Sequence, residues 1–202
     1  MNDGRLLIIF TKNPEAGAVK TRLASSIGKE KALEVYEILR AHTAVVTGEV
    51  EAERMVFYSR FIPSSDLFCT EKFTLKLQEG DNLGVRMFHA ISTGFASGFR
   101  HIALIGTDCC DLSSKILNDA FSALERSDAV VGPAIDGGFY LIGLNWLIPE
   151  LFIDRQWSTP EVFRETIGTL ERQAIPYELL AELSDIDTID DLKKSRLWPL
   201  KP

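Results

Sequence analysis

The chain has 202 residues, 46% hydrophobic and 25% charged, the proportions of a single folded domain (1–202) rather than a disordered chain. Its 29 acidic and 22 basic residues leave a net charge of −7, which argues against sequence-independent nucleic-acid binding. Its three cysteines, Cys69, Cys109 and Cys110, form no C-x-x-C pair, so neither a zinc site nor a disulfide framework is expected, and a reducing, cytoplasmic setting fits.

Residues 5–11 (RLLIIFT) read as a fully buried first strand. The apolar run Leu6–Phe10 is too short for a signal segment or a membrane span, so no membrane insertion is expected. A loop, NPEAGAVKTR, follows. Residues 29–48 are helical by period, with Ala32, Val35, Tyr36, Leu39 and Val46 on one face. Strands are expected at 54–59 and 74–78, then a helix at 82–97 with Leu83, Met87, Ile91 and Phe95 at four-residue steps. A central strand, 101–106, ends on Gly106, and Ser113 caps a helix running to about Arg126. Strands at 128–134 and 139–144 flank a D-G-G turn, either as a hairpin or as a longer excursion off the sheet edge. The last elements are a helix at 160–172 with Pro160 in its first position, a short strand within 175–180 and a helix at 188–196. Strands alternating with helices are the pattern of an α/β sandwich.

Four stretches carry chemistry. Lys12–Arg22 places Lys12, Lys20 and Arg22 just after the first strand, with Gly17 allowing close backbone approach. Ammonium, guanidinium and accessible N–H groups together suit a phosphate; the plainer reading is a solvated loop. Neither a P-loop nor a dinucleotide fingerprint is present. In G-T-D-C-C-D (106–111), Asp108 stands at the sheet rim, where a carboxylate can hold Mg²⁺ against a pyrophosphate. Asp111 reads as a cap for the next helix, and the two cysteines as small buried hydrophobes. Asp136-Gly137-Gly138 makes a turn from which Asp136 faces an acceptor. In S-D-I-D-T-I-D-D-L (184–192), either Asp185 or Asp187 is the candidate second metal ligand, while Asp190 and Asp191 suit the first turn of the last helix. Trp157 stands out once more, either as a stacking surface for a sugar or base or as core.

The order of these stretches resembles the nucleotide-diphospho-sugar transferase superfamily of GT-A fold, over residues 6 to 192. The matching motifs are K-x-P-x-x-G-x-x-K-T-R-L (Lys12 to Leu23), D-x-L-G-x-R-M (Asp81 to Met87), G-T-D-C-P-x-L (Gly106 to Leu112), G-P-A-x-D-G-G (Gly132 to Gly138) and D-x-D-T-x-x-D-L (Asp185 to Leu192). The chain resembles a bacterial glycosyltransferase-like group, also described as radical-SAM/selenodomain-associated transferases. It is more distantly similar to molybdenum-cofactor and 2-phospholactate guanylyltransferases. One position departs from the pattern: Cys110 stands where the group has proline.

The resemblance implies a three-layer α/β/α sandwich with a mixed, mostly parallel central sheet. It also implies a metal-dependent transferase with Mg²⁺ or Mn²⁺ as cofactor and a nucleoside triphosphate or nucleotide-sugar as donor. Lys12, Gly17, Lys20, Arg22, Gly106 and Asp108 would bind the nucleotide, and Asp108 with Asp185 or Asp187 the metal. In nucleotidyl transfer Lys20 and Arg22 would neutralise the leaving pyrophosphate; in glycosyl transfer Asp136 would be the base for the acceptor hydroxyl. A non-catalytic nucleotide-binding partner subunit is the alternative. No motif specifies the small-molecule acceptor or an oligomeric state.

Overall fold

The computed structural model describes residues 4–200. Seven strands form one sheet: β1 (Arg5–Thr11), β2 (Glu53–Tyr58), β3 (Thr74–Leu77), β4 (His101–Ile105), β5 (Ala129–Pro133), β6 (Phe139–Leu144) and β7 (Tyr177–Leu179). The spatial order is β3-β2-β1-β4-β6-β5-β7. Only β6 runs against its neighbours, pairing antiparallel with both β4 and β5. The D-G-G turn therefore closes a hairpin, and the hairpin puts β6 inside the sheet rather than at its edge.

Six α-helices accompany the sheet, α1 (Thr21–Ile27), α2 (Lys29–Gly48), α3 (Leu83–Ala96), α4 (Ser114–Leu124), α5 (Val162–Arg172) and α6 (Ile189–Lys194), with Leu23 of α1 and Leu192 of α6 packed in a cluster with α2. Successive residues of β1 serve opposite faces, as the pleat requires. Leu7 and Ile9 join Val46 of α2 and Leu117, Phe121 and Leu124 of α4 in one core. Leu6, Ile8 and Phe10 join Met87 and Ile91 of α3 and Leu170 of α5 in the other. Leu6 to Ile9 are wholly buried, which is why this strand reads as an unbroken apolar run. The architecture is thus the expected mixed, mostly parallel three-layer sandwich. Among the described residues no helix is long and apolar enough to cross a membrane.

Several local expectations need correcting. Thr21 and Arg22, expected in the loop, instead open a helix that runs to Ile27: Lys20 in the left-handed conformation (φ 47°) and Gly28 (φ 89°) bound these seven residues with no side-chain cap to announce them. Asp111 does not cap α4. That role belongs to Ser113, whose hydroxyl accepts from the Ile116 N–H at 3.3 Å, and Asp111 lies 3.7 Å from Arg196. Pro160 precedes α5, which begins at Val162. Leu83 remains 43% exposed because it lies in the first turn of α3, above the core. Asp190 and Asp191 do occupy the first turn of α6, where Asp191 and Thr188 form a capping box.

Candidate functional site

β1 has β2 on one side and β4 on the other, both parallel to it, so the chain leaves the carboxyl ends of β1 and β4 in diverging directions. In open α/β sheets that divergence opens the ligand crevice. Lys12–Lys20 leaves β1 on one wall, and Gly106–Asp111 leaves β4 on the other.

Tyr36 of α2 fastens the two walls together. Its buried hydroxyl accepts from the Lys12 N–H at 2.8 Å and lies 3.2 Å from both the Thr11 and Thr107 hydroxyls. Burial, and then the Asp108 charge, push this phenol above its ordinary range. Asn13, also buried, donates to the Phe61 carbonyl at 2.9 Å and accepts from the Arg60 N–H at 3.1 Å. The start of the basic loop is thereby held against the segment after β2. Gly17 follows with φ 80°, a left-handed conformation that favours glycine.

The loop ends on Lys20, whose side chain is only 4% exposed and whose Nζ lies 2.5 Å from Asp108 Oδ1. Burial by itself would lower the ammonium pKa. The charge and hydrogen bond of Asp108, with smaller contributions from Asp187 and Asp185, outweigh it, so the pKa is raised. Arg22, one residue into α1, reaches Asp187 at 3.2 Å across a solvent-exposed gap.

Asp185 arrives from far along the chain. The Ile186 N–H donates to the Asp108 carbonyl at 3.0 Å, and Asp185 pairs with Cys109 in an isolated antiparallel bridge. Ile186 anchors this crossing by packing with Leu23, Cys110 and Leu192. Burial, and then the neighbouring Asp108 carboxylate, raise the Asp185 carboxyl to about 7, against the opposing pull of Lys20; Asp136 and Asp187 add to the rise. Asp136 is therefore close enough to act on Asp185. It is exposed at the tip of the hairpin, with Oδ1 accepting from the Gly138 N–H at 2.9 Å. Gly137 has φ 90°, and a β-carbon there would stand 2.1 Å from the Pro160 carbonyl oxygen. Gly137→Ala is accordingly expected to cost about 2 kcal/mol or more by chemical denaturation. A cost under about 0.5 kcal/mol would show that the hairpin tip is not wedged against residue 160.

The structure thus brings together Lys20, Asp108, Asp185, Asp187 and Arg22, with Asp136 on the rim. Lys12 lies on the same loop with an exposed side chain, and Gly106 lies beneath Asp108, 3.6 Å from Oδ2 to a would-be β-carbon. Trp157 packs into the α3/α5 core, edge-on to Phe139 at 6.2 Å between ring centroids, which favours the core reading. Cys109 and Cys110 are buried and free. In place of the proline, cross-links hold the turn at Cys110: Arg196 donates to the Cys110 carbonyl, and His42 Nε2 lies 2.7 Å from the Leu112 carbonyl oxygen. Nothing in the spacing marks Tyr36, Asn13, Arg196 or His42 beyond a helix face or a loop position.

Among the described residues no three His, Cys, Asp or Glu side chains are grouped to hold a metal by themselves. The donor set nevertheless suits Mg²⁺ or Mn²⁺, because Mg²⁺ commonly takes one or two carboxylates and fills its shell with water and substrate phosphate. A cleft of about 760 Å³, lined among others by Glu150, Arg155, Glu165 and Arg172, includes none of these site residues.

A family profile described as Uncharacterized protein conserved in bacteria (DUF2064) matches residues 42–159. The chain belongs to this family. It is similar to the crystal structure of a candidate nucleotide-diphospho-sugar transferase from Desulfovibrio desulfuricans G20. That match has 29% identity and a TM-score of 0.89, covering 96% of this chain and 86% of that one. A cytidylyltransferase from Leptospira borgpetersenii serovar Hardjo-bovis (strain JB197) shares 13% identity at a TM-score of 0.59, over 94% of this chain and 84% of that one. Rv0371c from Mycobacterium tuberculosis H37Rv, in complex with manganese, shares 11% identity at a TM-score of 0.55, over 94% and 96%. The last two establish the fold alone. No curated protein sequence matches the chain. This DUF2064 protein therefore has the fold of the nucleotide-diphospho-sugar transferase superfamily.

The Asp185 carboxyl sets a pH dependence. Its folded pKa, about 7, exceeds the unfolded value of about 4, so the folded state binds the extra proton between those limits. Stability from this group is full below about pH 4 and is lost as pH rises through about 7. Relative to wild type, Asp185→Asn in metal-free buffer is expected to gain about 1.3 kcal/mol between pH 5 and pH 8.5. That is about half the unscreened figure, because the side chain keeps some solvent contact. Parallel stability curves for the two proteins would remove the carboxyl from this role.

Proposed function

We propose that this protein is a metal-dependent transferase that binds a nucleoside-phosphate donor, either a nucleoside triphosphate or a nucleotide-sugar. The observation that carries the reading is the meeting of Lys20 with Asp108 at the β1/β4 crevice, with Asp185 beside them. A phosphorylated ligand needs cations on one side of its phosphates and a metal-holding carboxylate on the other, and this crevice offers both. The likeness to a candidate nucleotide-diphospho-sugar transferase supports the same reading.

Lys20 and Arg22 would neutralise charge that develops on the departing pyrophosphate or nucleoside diphosphate. Asp108 and Asp185 would hold Mg²⁺ or Mn²⁺, with Asp187 as the outer carboxylate held by Arg22. When bound, the metal supplies electrostatic stabilisation of the phosphate oxygens. Asp136, with one oxygen committed to its own turn, keeps the other for an acceptor hydroxyl and is the candidate base. The free cysteines fit a cytoplasmic location.

The test is a panel of nucleoside triphosphates and nucleotide-sugars, assayed with and without Mg²⁺ for release of pyrophosphate or nucleoside diphosphate. Metal-dependent release is expected from one class, and the released product tells nucleotidyl from glycosyl transfer. Binding without release under any acceptor would favour a nucleotide-binding module instead. If no member of the panel shifts the melting temperature or turns over, the reading fails.

A further inference from the structure

We propose that Lys20 occupies the cation position at Asp108 and yields it to a divalent metal only when phosphate oxygens arrive to receive its ammonium. The inference rests on the donor-site reading above and concerns the order in which that site fills.

Three observations carry it. First, the ammonium sits 2.5 Å from Asp108 Oδ1, with its own side chain 4% exposed and the carboxylate 44% exposed. The cation approaches from inside the protein, and the open side of the carboxylate faces the crevice. A divalent ion on that carboxylate would have a buried like charge as its neighbour, where water screens little. Second, Lys20 is held at its backbone. It is the N-cap of α1 in the left-handed conformation, and its carbonyl accepts from the Ala24 N–H at 2.8 Å. Leu23, wholly buried, anchors the helix that follows. On leaving Asp108 the ammonium therefore has to find its new acceptor within the reach of a side chain rooted at a fixed backbone. Third, the other cation of this K-T-R stretch is engaged in the same way: Arg22 lies 3.2 Å from Asp187. Both cations now neutralise carboxylates, and both would face the phosphates of a donor in the crevice.

Metal and phosphate then bind as a coupled pair. Phosphate draws Lys20 off Asp108 and so raises metal affinity; by linkage, metal raises phosphate affinity by the same factor. Metal alone meets the lysine still in place.

The experiment needs no nucleotide. Free aqueous Mn²⁺, counted by its electron paramagnetic resonance signal, is titrated against wild type and Lys20→Met. The Mn²⁺–pyrophosphate complex is titrated calorimetrically into both. Wild type is expected to bind the complex at least about tenfold more tightly than Mn²⁺ alone. Lys20→Met is expected to bind Mn²⁺ alone about tenfold more tightly than wild type does. Equal affinity of the two proteins for Mn²⁺ alone overturns the proposal, as does wild-type binding of Mn²⁺ no weaker than that of the complex. If Lys20→Met loses its native circular dichroism, the two wild-type titrations decide. A failed nucleotide panel with these contrasts intact would refute the donor reading and leave the exchange standing; nucleotide binding without the contrasts would do the reverse.

Discussion

Asp108→Ala is expected to abolish the metal dependence of nucleotide binding and to lower any transfer activity by about 10²- to 10³-fold, the usual cost of removing one electrostatic partner of the transition state. The carboxylate stands at the end of the central strand, 44% exposed toward the crevice, with Lys20 behind it. Asp185 alone would leave the metal a single inner carboxylate, and its backbone is tied to the Asp108 turn. The variant also strands the Lys20 ammonium, though Asp185 and Asp187 remain nearby, so a stability loss of about 1–3 kcal/mol is expected alongside. Thermal-shift titration separates the two effects. The melting temperature should fall without ligand, and added Mg²⁺ should no longer alter the nucleotide response. An unchanged metal response in a folded Asp108→Ala protein would take this residue out of the ligand role.

The largest loss of stability is expected from Asp66→Ala. Arg40 of α2 is buried, at 2% side-chain exposure, and pairs at 2.5 Å with Asp66, at 5%. Its Nε donates to the Thr11 hydroxyl at 3.1 Å, and its guanidinium lies 5.5 Å from the Phe68 ring centroid and 6.0 Å from that of Tyr36. Removing Asp66 leaves a guanidinium in a dry setting with its charge uncompensated, which costs about 3–5 kcal/mol. For a chain of this size that is a fall in melting temperature of roughly 6–20 °C. The same pair reaches the end of β1 through Thr11, so donor affinity should fall with stability. Replacing both partners by a matched apolar pair should recover much of the loss, because the buried charge then disappears with its counter-ion. A loss below about 1 kcal/mol for Asp66→Ala would mean that water enters and solvates Arg40.

Much of this protein is legible from residue order, for local reasons. The run Leu6–Phe10 reads as a buried strand because both faces of the central sheet are covered. Lys29–Gly48 reads as a helix because its apolar residues recur at the helical period, and every one of the five expected on its inner face is buried. Ser113 as the cap of α4 and Gly137 at the hairpin tip follow from chemistry within two or three residues. Lys12–Arg22 and Asp108 are recognisable because each directly follows a strand, and strand ends are where such sheets bind ligands.

What residue order does not contain is the distance between those pieces. α1 escapes notice because it is short, has no side-chain cap and starts from a left-handed lysine. Tyr36 reads as one more core residue, and only folding places its hydroxyl between the ends of β1 and β4. Asp185 and Asp187 are equivalent candidates in the sequence. The tertiary structure gives them different surroundings: the Ile186 N–H donates to the Asp108 carbonyl beside Asp185, while Asp187 faces Arg22. The basic loop and the strand-end carboxylate with which it opens the site are separately visible in the sequence. Their pairing is a tertiary fact: Lys20 and Asp108 are 88 residues apart in the chain and 2.5 Å apart in space, because β1 and β4 lie side by side and each carries its loop to the same rim.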